Sequence, residues 1–162
     1  MDWGRESALR ERFRQRMSAR TPRAPDLAWH HERMPPIDEL TRIEPVLLAR
    51  LDRMGIFTTG LLLEVSETPT RRQTLADQMA TDTTEVLTWR DEALMLNLAS
   101  FGPDEHQMMI QAGIEGLKDI LDLELDAFGE RVRRGAAELG MEPPSDLTIE
   151  GWWDQARTLE DE

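Results

Sequence analysis

The sequence predicts an all-α protein whose main part is a duplicated unit. Two sets of residues recur at fixed shifts, and no segment alternates apolar and polar residues in the way a strand does. The shift is 58 near the start of the unit (103 − 45) and 63 near its end (152 − 89), so about five residues are inserted in the second copy. The recurring residues are Pro45, Gly55, Ile56, Val86, Trp89, Ala93 and Leu96, which return as Pro103, Gly113, Ile114, Ile149, Trp152, Ala156 and Leu159. Repeats of this length usually bury their apolar faces against one another.

The first copy, residues 37–99, is predicted to contain four helices. Each begins at a capping residue or at a proline in the first turn. The four start signals are Glu44-Pro45, Thr58 or Thr59, Thr68-Pro69, and Asp82 with Glu85 three residues later. We expect Gly55 to end the first helix, because glycine readily adopts the left-handed conformation found beyond helix ends.

The second copy, residues 100–162, follows the same order. Gly102-Pro103 begins its first helix, and Gly113 and Gly140 end its first and third. Pro143-Pro144 marks the inserted, non-helical connection. The apolar positions of its later helices are Leu117, Ile120, Leu121, then Leu125, Phe128, Val132 and Ala136, then Trp152, Ala156 and Leu159.

Two further segments precede the copies. Residues 1–20 form an Arg-rich arm in which an amphipathic helix is predicted over residues 5–19, because Leu9, Phe13 and Met17 are spaced i, i+4, i+8. Residues 21–36 contain four of the nine prolines and are predicted to be an extended linker. The boundary between linker and folded body is expected near Pro36.

Composition excludes several classes of protein. The chain of 162 residues contains no Cys, which excludes disulfide scaffolds, thiolate zinc sites and thiol nucleophiles. No stretch approaches the ~20 apolar residues of a membrane span, and the N-terminus lacks the apolar core of a secretory signal. We therefore expect a cytoplasmic protein with no membrane partner.

Charge divides the chain into a basic arm and an acidic remainder. Residues 1–23 carry seven Arg and three acids, a net of +4, whereas residues 24–162 carry twelve bases and twenty-nine acids, a net of −17. Sequence-independent affinity for nucleic acid comes mainly from Lys and Arg. The acidic remainder is therefore expected to repel a phosphate backbone.

Two groups of residues resemble a known architecture: Ile43-Glu44-Pro45 with Gly55-Ile56 and Trp89, and Phe101-Gly102-Pro103 with Gly113-Ile114 and Trp152. Each group resembles a helix-hairpin-helix (SAM-like) unit. Residues 42–160 as a whole resemble a bacterial family of domains of unknown function built from duplicated repeats of this kind. The resemblance implies an all-α fold of two tandem units packed into one domain, and no established activity.

Helix-hairpin-helix units that bind DNA hold a phosphate with the backbone N–H groups of a Gly-rich hairpin. This chain departs from that pattern, because Glu44 and Pro45 stand at the first hairpin and Pro103 follows Gly102 at the second. We therefore do not expect the body to bind nucleic acid. The alternative hypothesis is a nucleic-acid-associated protein that contacts phosphates through Arg12, Arg16, Arg20 and Gly102.

Candidate catalytic and metal-binding residues are few. His30-His31-Glu32 has suitable residue types for a metal but lacks the spacing of a dedicated site, so we interpret it as solvated linker. His106 follows Asp104 and Glu105 and is predicted to occupy a surface position on its helix. We predict no catalytic residues, no cofactor and no metal, and hence no enzyme.

The leading hypothesis is a non-enzymatic adaptor whose arm docks to another protein or to a second copy of the chain. A short amphipathic helix is too weak to stand alone and becomes ordered when a groove accepts it. Trp89 and Trp152 are predicted to anchor the core, and Trp153 to be partly exposed. The predicted partner-binding residues are Trp3, Leu9, Arg10, Phe13, Arg14, Met17 and Trp29.

Overall fold

The computed structural model describes residues 35–160, and this part of the chain is all helical, as predicted. A short 3₁₀ turn at Ile37–Glu39 precedes eight α-helices, and the one β contact in residues 35–160 is an isolated bridge between Pro36 and Thr58. The helices are α1 (Pro45–Arg53), α2 (Thr59–Val65), α3 (Pro69–Met79), α4 (Thr83–Leu96), α5 (Pro103–Gln111), α6 (Leu117–Leu121), α7 (Leu125–Glu138) and α8 (Asp146–Glu160).

Three contacts between helices of the first half recur between the corresponding helices of the second half. In the first half α1 contacts α3, and both α2 and α3 contact α4. In the second half α5 contacts α7, and both α6 and α7 contact α8. The halves meet where α4 packs on α6, and a single cluster of buried apolar residues runs through both of them. Neither half therefore encloses its core alone.

The start and stop signals read from the sequence operate as predicted. Thr58, Thr68 and Asp82 each accept a hydrogen bond from a backbone N–H in the first turn of the helix that follows, at 3.0–3.1 Å. Gly55 and Gly113 have φ values of 86° and 79° just beyond α1 and α5. In both turns the next residue donates its N–H back into the helix, from Ile56 and Ile114. Local chemistry therefore sets where these helices begin and end.

The core is anchored by aromatic side chains. Trp89 and Trp152 are buried, as the repeat predicted, and Phe101 packs edge-on against Trp152 with ring centroids 5.4 Å apart. Trp153 is partly exposed, also as predicted. Met54 is 40% exposed, because it lies at the C-cap of α1, beyond the last full turn.

The last residues of the predicted linker are bound to the body. Pro35 accepts a hydrogen bond from the Thr59 N–H at 2.9 Å, and the Ile37 N–H donates to Phe57 O at 2.8 Å. These bonds hold the start of the described chain against the turn between α1 and α2. Residues 1–34, which include the predicted arm, lie outside the described residues.

Candidate functional site

A buried polar cluster centred on Glu92 joins the two halves. Glu92 lies on α4, is 1% exposed and receives hydrogen bonds from the segment that leads into α1. The Thr41 N–H donates to both carboxylate oxygens at 2.9 and 3.0 Å, and the Thr41 hydroxyl donates to Oε2 at 2.6 Å. The Arg42 N–H donates to Oε1 at 3.1 Å. A buried carboxylate is tolerated only with such partners, because desolvating an unpaired charge is costly.

His106 brings the second half into the same cluster. Its Nε2 lies 3.3 Å from Glu92 Oε2, a hydrogen bond when that nitrogen carries the proton. The prediction that His106 occupies a surface position is wrong, since the residue is 5% exposed. Charged neighbours in the sequence suggested solvent, but α5 turns its Asp104 side outward and its His106 side toward α4. A rule based on adjacent residues could not distinguish these two sides.

The electrostatics of Glu92 follow from its surroundings. Burial alone would raise the pKa of its carboxyl, but the hydrogen bonds from His106, the Thr41 hydroxyl and the backbone of Thr41 and Arg42 outweigh burial. The net effect holds the pKa of Glu92 below its ordinary value. The residue is therefore a carboxylate at neutral pH.

A second set of polar contacts continues from Asp91, the neighbour of Glu92. Asp91 Oδ2 accepts from the Arg42 guanidinium at 2.9 Å, and Asp91 Oδ1 accepts from the Lys118 N–H, in the first turn of α6, at 2.9 Å. Arg42 also donates to Glu115 O at 3.2 Å. Gly116 leaves the room these groups need, because a Cβ there would lie 2.1 Å from Asp91 Oδ2. Asp91 therefore caps α6 and ties it to both α4 and Arg42.

The second half contains a simpler version of the Glu92 contact. At the two repeat shifts, Thr41 corresponds to Ala99 (99 − 41 = 58) and Glu92 corresponds to Gln155 (155 − 92 = 63). Gln155 Oε1 accepts a hydrogen bond from the Ala99 N–H at 3.0 Å. Equivalent positions therefore hold the same backbone group in both halves. The carboxylate occurs where a histidine of the other half is also within reach.

The paired tryptophans differ in their polar contacts. Trp152 Nε1 donates to Ala99 O at 2.8 Å, whereas the buried Nε1 of Trp89 has no hydrogen-bond partner among residues 35–160. Trp153 Nε1 donates to Leu123 O at 3.0 Å, and the Arg157 guanidinium lies 3.4 Å from a ring centroid of Trp153. The second half thus satisfies its tryptophan N–H groups more completely than the first.

A carboxylate and an imidazole in contact are the parts of a proton-transfer pair. Here the carboxylate oxygens also receive the Thr41 and Arg42 donors, and both side chains are buried. The arrangement orients three segments relative to one another: the lead into α1, helix α4 and helix α5. Its chemical effect is to fix the position of the second half relative to the first.

The sequence-predicted site residues lie almost entirely outside the described residues. Gly102 is the exception, and its N–H donates to Glu105 Oε1 at 2.9 Å, within the first turn of α5. The donor proposed for a phosphate therefore already has a partner. Those outside are Trp3, Leu9, Arg10, Arg12, Phe13, Arg14, Arg16, Met17, Arg20 and Trp29, as well as His30, His31 and Glu32.

Glu92 is not among the site residues predicted from the sequence, although its position in the repeat indicates that it is buried. Glu92 follows Trp89 by three residues and directly precedes Ala93, so it lies on the stripe of α4 that the repeat marks as buried. A carboxylate on a predicted core stripe is unusual, because such a residue is rarely buried unless it is paired. Its partners Thr41 and His106 are distant in sequence, and no residue of α4 indicates which residues bind Glu92.

The Glu92 cluster lies within a region that matches a known protein family. Residues 41–159 match the family model described as a domain of unknown function (DUF4332). The chain belongs to this family. The DUF4332 region begins at Thr41, which binds Glu92, and it takes in both halves of the fold. No curated protein and no solved structure matches the chain significantly.

Two general properties of the DUF4332 region complete the description. No helix in residues 35–160 has the length and hydrophobicity needed to cross a bilayer. Within the same range, no three His, Asp or Glu side chains converge in a way that could hold a metal ion.

Proposed function

We propose that the protein is a non-enzymatic interaction module, an adaptor or scaffold. In this proposal two helix-hairpin-helix-like repeats form a rigid body, and the Arg-rich arm is a tethered docking helix for another protein. The observation that supports it most directly is the Glu92 cluster, in which buried ionisable groups join the halves of the body. Such a body suits a platform that keeps its binding surfaces at fixed positions.

The division of charge supports the role of the arm. The body, residues 35–160, carries eleven bases and twenty-five acids, a net of −14 (11 − 25), whereas residues 1–23 carry +4. Leu9, Phe13 and Met17 recur at helical spacing among the arginines, the pattern of a helix that lies in an apolar groove. Trp3, Arg10, Arg14 and Trp29 lie on the same arm or its linker and would extend the contact.

The proposal is tested by replacing Leu9 and Phe13 with Asp in the full-length protein. Partners that the wild type retains in quantitative affinity purification from its native cell should be lost, while the circular-dichroism melt of the body is unchanged. Leu87→Glu is the matched control, because Leu87 is an exposed apolar residue of the body and the repeat places Glu150 at its equivalent position. Partners retained equally by all three proteins would contradict the proposal.

The alternative role, association with nucleic acid through Arg12, Arg16, Arg20 and Gly102, receives less support. The Gly102 N–H is bonded to Glu105, and Asp104 stands beside it in the first turn of α5. A phosphate at that helix start would meet two carboxylates. The alternative predicts binding to DNA or RNA that falls steeply with salt and is lost when the three arginines are replaced by Gln. Filter binding over a range of salt concentrations decides it.

A further inference from the structure

Exposed apolar side chains of the body concentrate on α1 and the turn that follows it. Three of the seven large apolar residues that are exposed within residues 35–160 lie here: Val46 is 53% exposed, Phe57 46% and Met54 40%. Ala49 is exposed on the same outer face of α1 as Val46. We call Val46, Ala49, Met54 and Phe57 the α1 strip. The other four, Leu87, Ile110, Leu139 and Leu147, belong to four different helices or their ends.

The second half shows that the fold does not require an apolar face at this place. Helix α5 is the counterpart of α1 at the shift of 58, and three of the four positions equivalent to the strip carry exposed polar side chains; the fourth, the equivalent of Met54, is the half-buried Ala112. Val46 corresponds to Asp104, Ala49 to Gln107 and Phe57 to Glu115. Exposed apolar side chains at positions where the duplicate carries exposed polar ones indicate an interaction surface.

The chain enters the body beside this surface. The Ile37 N–H donates to Phe57 O, and the Thr59 N–H donates to Pro35 O, so the described chain begins next to the turn that contains Phe57. The eighteen residue-to-residue steps from Met17 to Pro35 can span at most about 60 Å, whereas the nine residues of α1 extend over only about 14 Å. The tether therefore allows the arm to reach any point of the strip, and tethering raises its effective concentration there.

The overall charge of the body and the apolar pattern of the arm favour the arm as the occupant. The strip is part of a body with a net charge of −14, and the 3₁₀ turn packed on α1 carries Asp38 and Glu39. The arm has the opposite charge, and its three apolar residues follow one side of a predicted helix. Helix α1 itself carries two bases and one acid (Arg50, Arg53 and Asp52), a net of +1, so the opposite charge lies elsewhere on the body and apolar contact must be the main contribution at the strip. Opposite net charges would accelerate the encounter.

We propose that the α1 strip binds the chain's own Arg-rich arm, residues 5–19, through Leu9, Phe13 and Met17. This goes beyond the proposed function, because it gives the arm a binding site on the body of its own chain. A protein partner would then compete with the strip for the arm. The affinity of the arm for a partner is lowered by the fraction of time the arm is held.

Hydrogen exchange of residues 5–19 in the full-length protein tests this proposal. The arm amides should exchange about tenfold more slowly in the wild type than in the double variant Val46→Asp, Phe57→Glu. Both substitutions install the residue that the second half carries at the same place, so the body should tolerate them. Leu87→Glu is the control and should leave the arm amides as slow as in the wild type. An unchanged circular-dichroism melt establishes that each variant is folded.

Equal exchange in the wild type and the double variant would overturn the proposal. Sedimentation at several concentrations addresses the other possible occupants. If arm protection grows with protein concentration and the mass doubles, the strip receives the arm of a second copy, and the intramolecular contact is wrong. These outcomes are separate from the proposed function, because Val46→Asp, Phe57→Glu changes only the strip and leaves intact the arm residues Leu9 and Phe13 that a partner would bind.

Discussion

The Thr41 hydroxyl donates a 2.6 Å hydrogen bond to the Glu92 carboxylate, although the two residues are 51 positions apart. The same carboxylate accepts the Thr41 N–H and lies within reach of His106. The beginning of the first half, its last helix and the first helix of the second half therefore meet at one buried charge. Removing that charge should affect the whole body, because these segments share a single core.

Replacing Glu92 with Gln should lower the free energy of unfolding by about 1–3 kcal/mol. An amide NH₂ would face donors that now bind a carboxylate oxygen, and an unsatisfied buried donor costs an amount of this order. Gln155→Ala is the comparison, since it removes the equivalent but more exposed contact to the Ala99 N–H, and it should cost about 0.5–1.5 kcal/mol. Urea denaturation measures both. A larger loss at position 155 than at position 92 would contradict this account of the cluster.

The contribution of Glu92 should depend on pH in one direction. The folded-state pKa of Glu92 lies below its unfolded value, so the unfolded state binds the proton more readily and stability rises with pH. The contribution is complete above the ordinary Glu value of about 4.3 and is lost as the pH falls through the folded pKa. The difference in unfolding free energy between wild type and Glu92→Gln should therefore shrink in acid. A difference that stays constant from pH 7 down to about pH 3 would show that ionisation of Glu92 contributes nothing.

Replacing Gly116 with Ala should destabilise the junction between the halves. The new Cβ would lie 2.1 Å from Asp91 Oδ2 and 2.9 Å from the Arg42 guanidinium, so the ion pair must move. We expect a loss of about 1–3 kcal/mol, the usual cost of forcing an extra methyl group into a packed site. Gly151→Ala is the control, because a Cβ there meets nothing within 4 Å on α8, and it should stabilise the protein by up to about 1 kcal/mol. Thermal or urea unfolding of the two variants should move in opposite directions.

Replacing Ala80 with Gly should stabilise the protein by about 1 kcal/mol. Ala80 has a φ of 58° at the end of α3, where the Thr81 N–H donates to Ala76 O, the turn that Gly55 forms after α1. The left-handed conformation costs a residue with a Cβ about 1–2 kcal/mol, and glycine avoids that cost. The reverse change, Gly55→Ala, should destabilise by a similar amount. If Ala80→Gly is less stable than wild type by urea unfolding, the added freedom of the unfolded chain outweighs the relief of strain.

Most of the fold was predictable from local signals. Thr58, Thr68 and Asp82 begin helices because each side chain accepts a hydrogen bond from a residue three positions later, and Gly55 and Gly113 end helices through their own backbone conformation. The twin tryptophans marked the core because an amphipathic stripe has a fixed period. All of these features depend on residues within about one helical turn of each other, so they can be predicted from the amino-acid sequence.

The junction between the halves was not predictable in this way. The acidic neighbours Asp104 and Glu105 predict a surface position for His106, and Glu92 is one of thirty-two acids in the chain. The burial of His106 and Glu92 depends on how α4 and α5 are placed by the rest of the fold, and the donors to Glu92 come from residues 50 and 51 positions away. The exposure of Phe57 and Val46 is also a property of packing, because it depends on which elements lie against α1 and the turn that follows it.

The amino-acid sequence alone determined the helices, their order, their doubling and the separation of a basic arm from an acidic body. It did so because capping, helical period and net charge are local or additive properties. Only the tertiary structure decided that one carboxylate, Glu92 on α4, binds two distant segments, and that Val46 and Phe57 are exposed apolar residues where the second half carries exposed acids. Contacts between remote residues depend on the relative placement of whole helices, and that placement is the result of burying one common core.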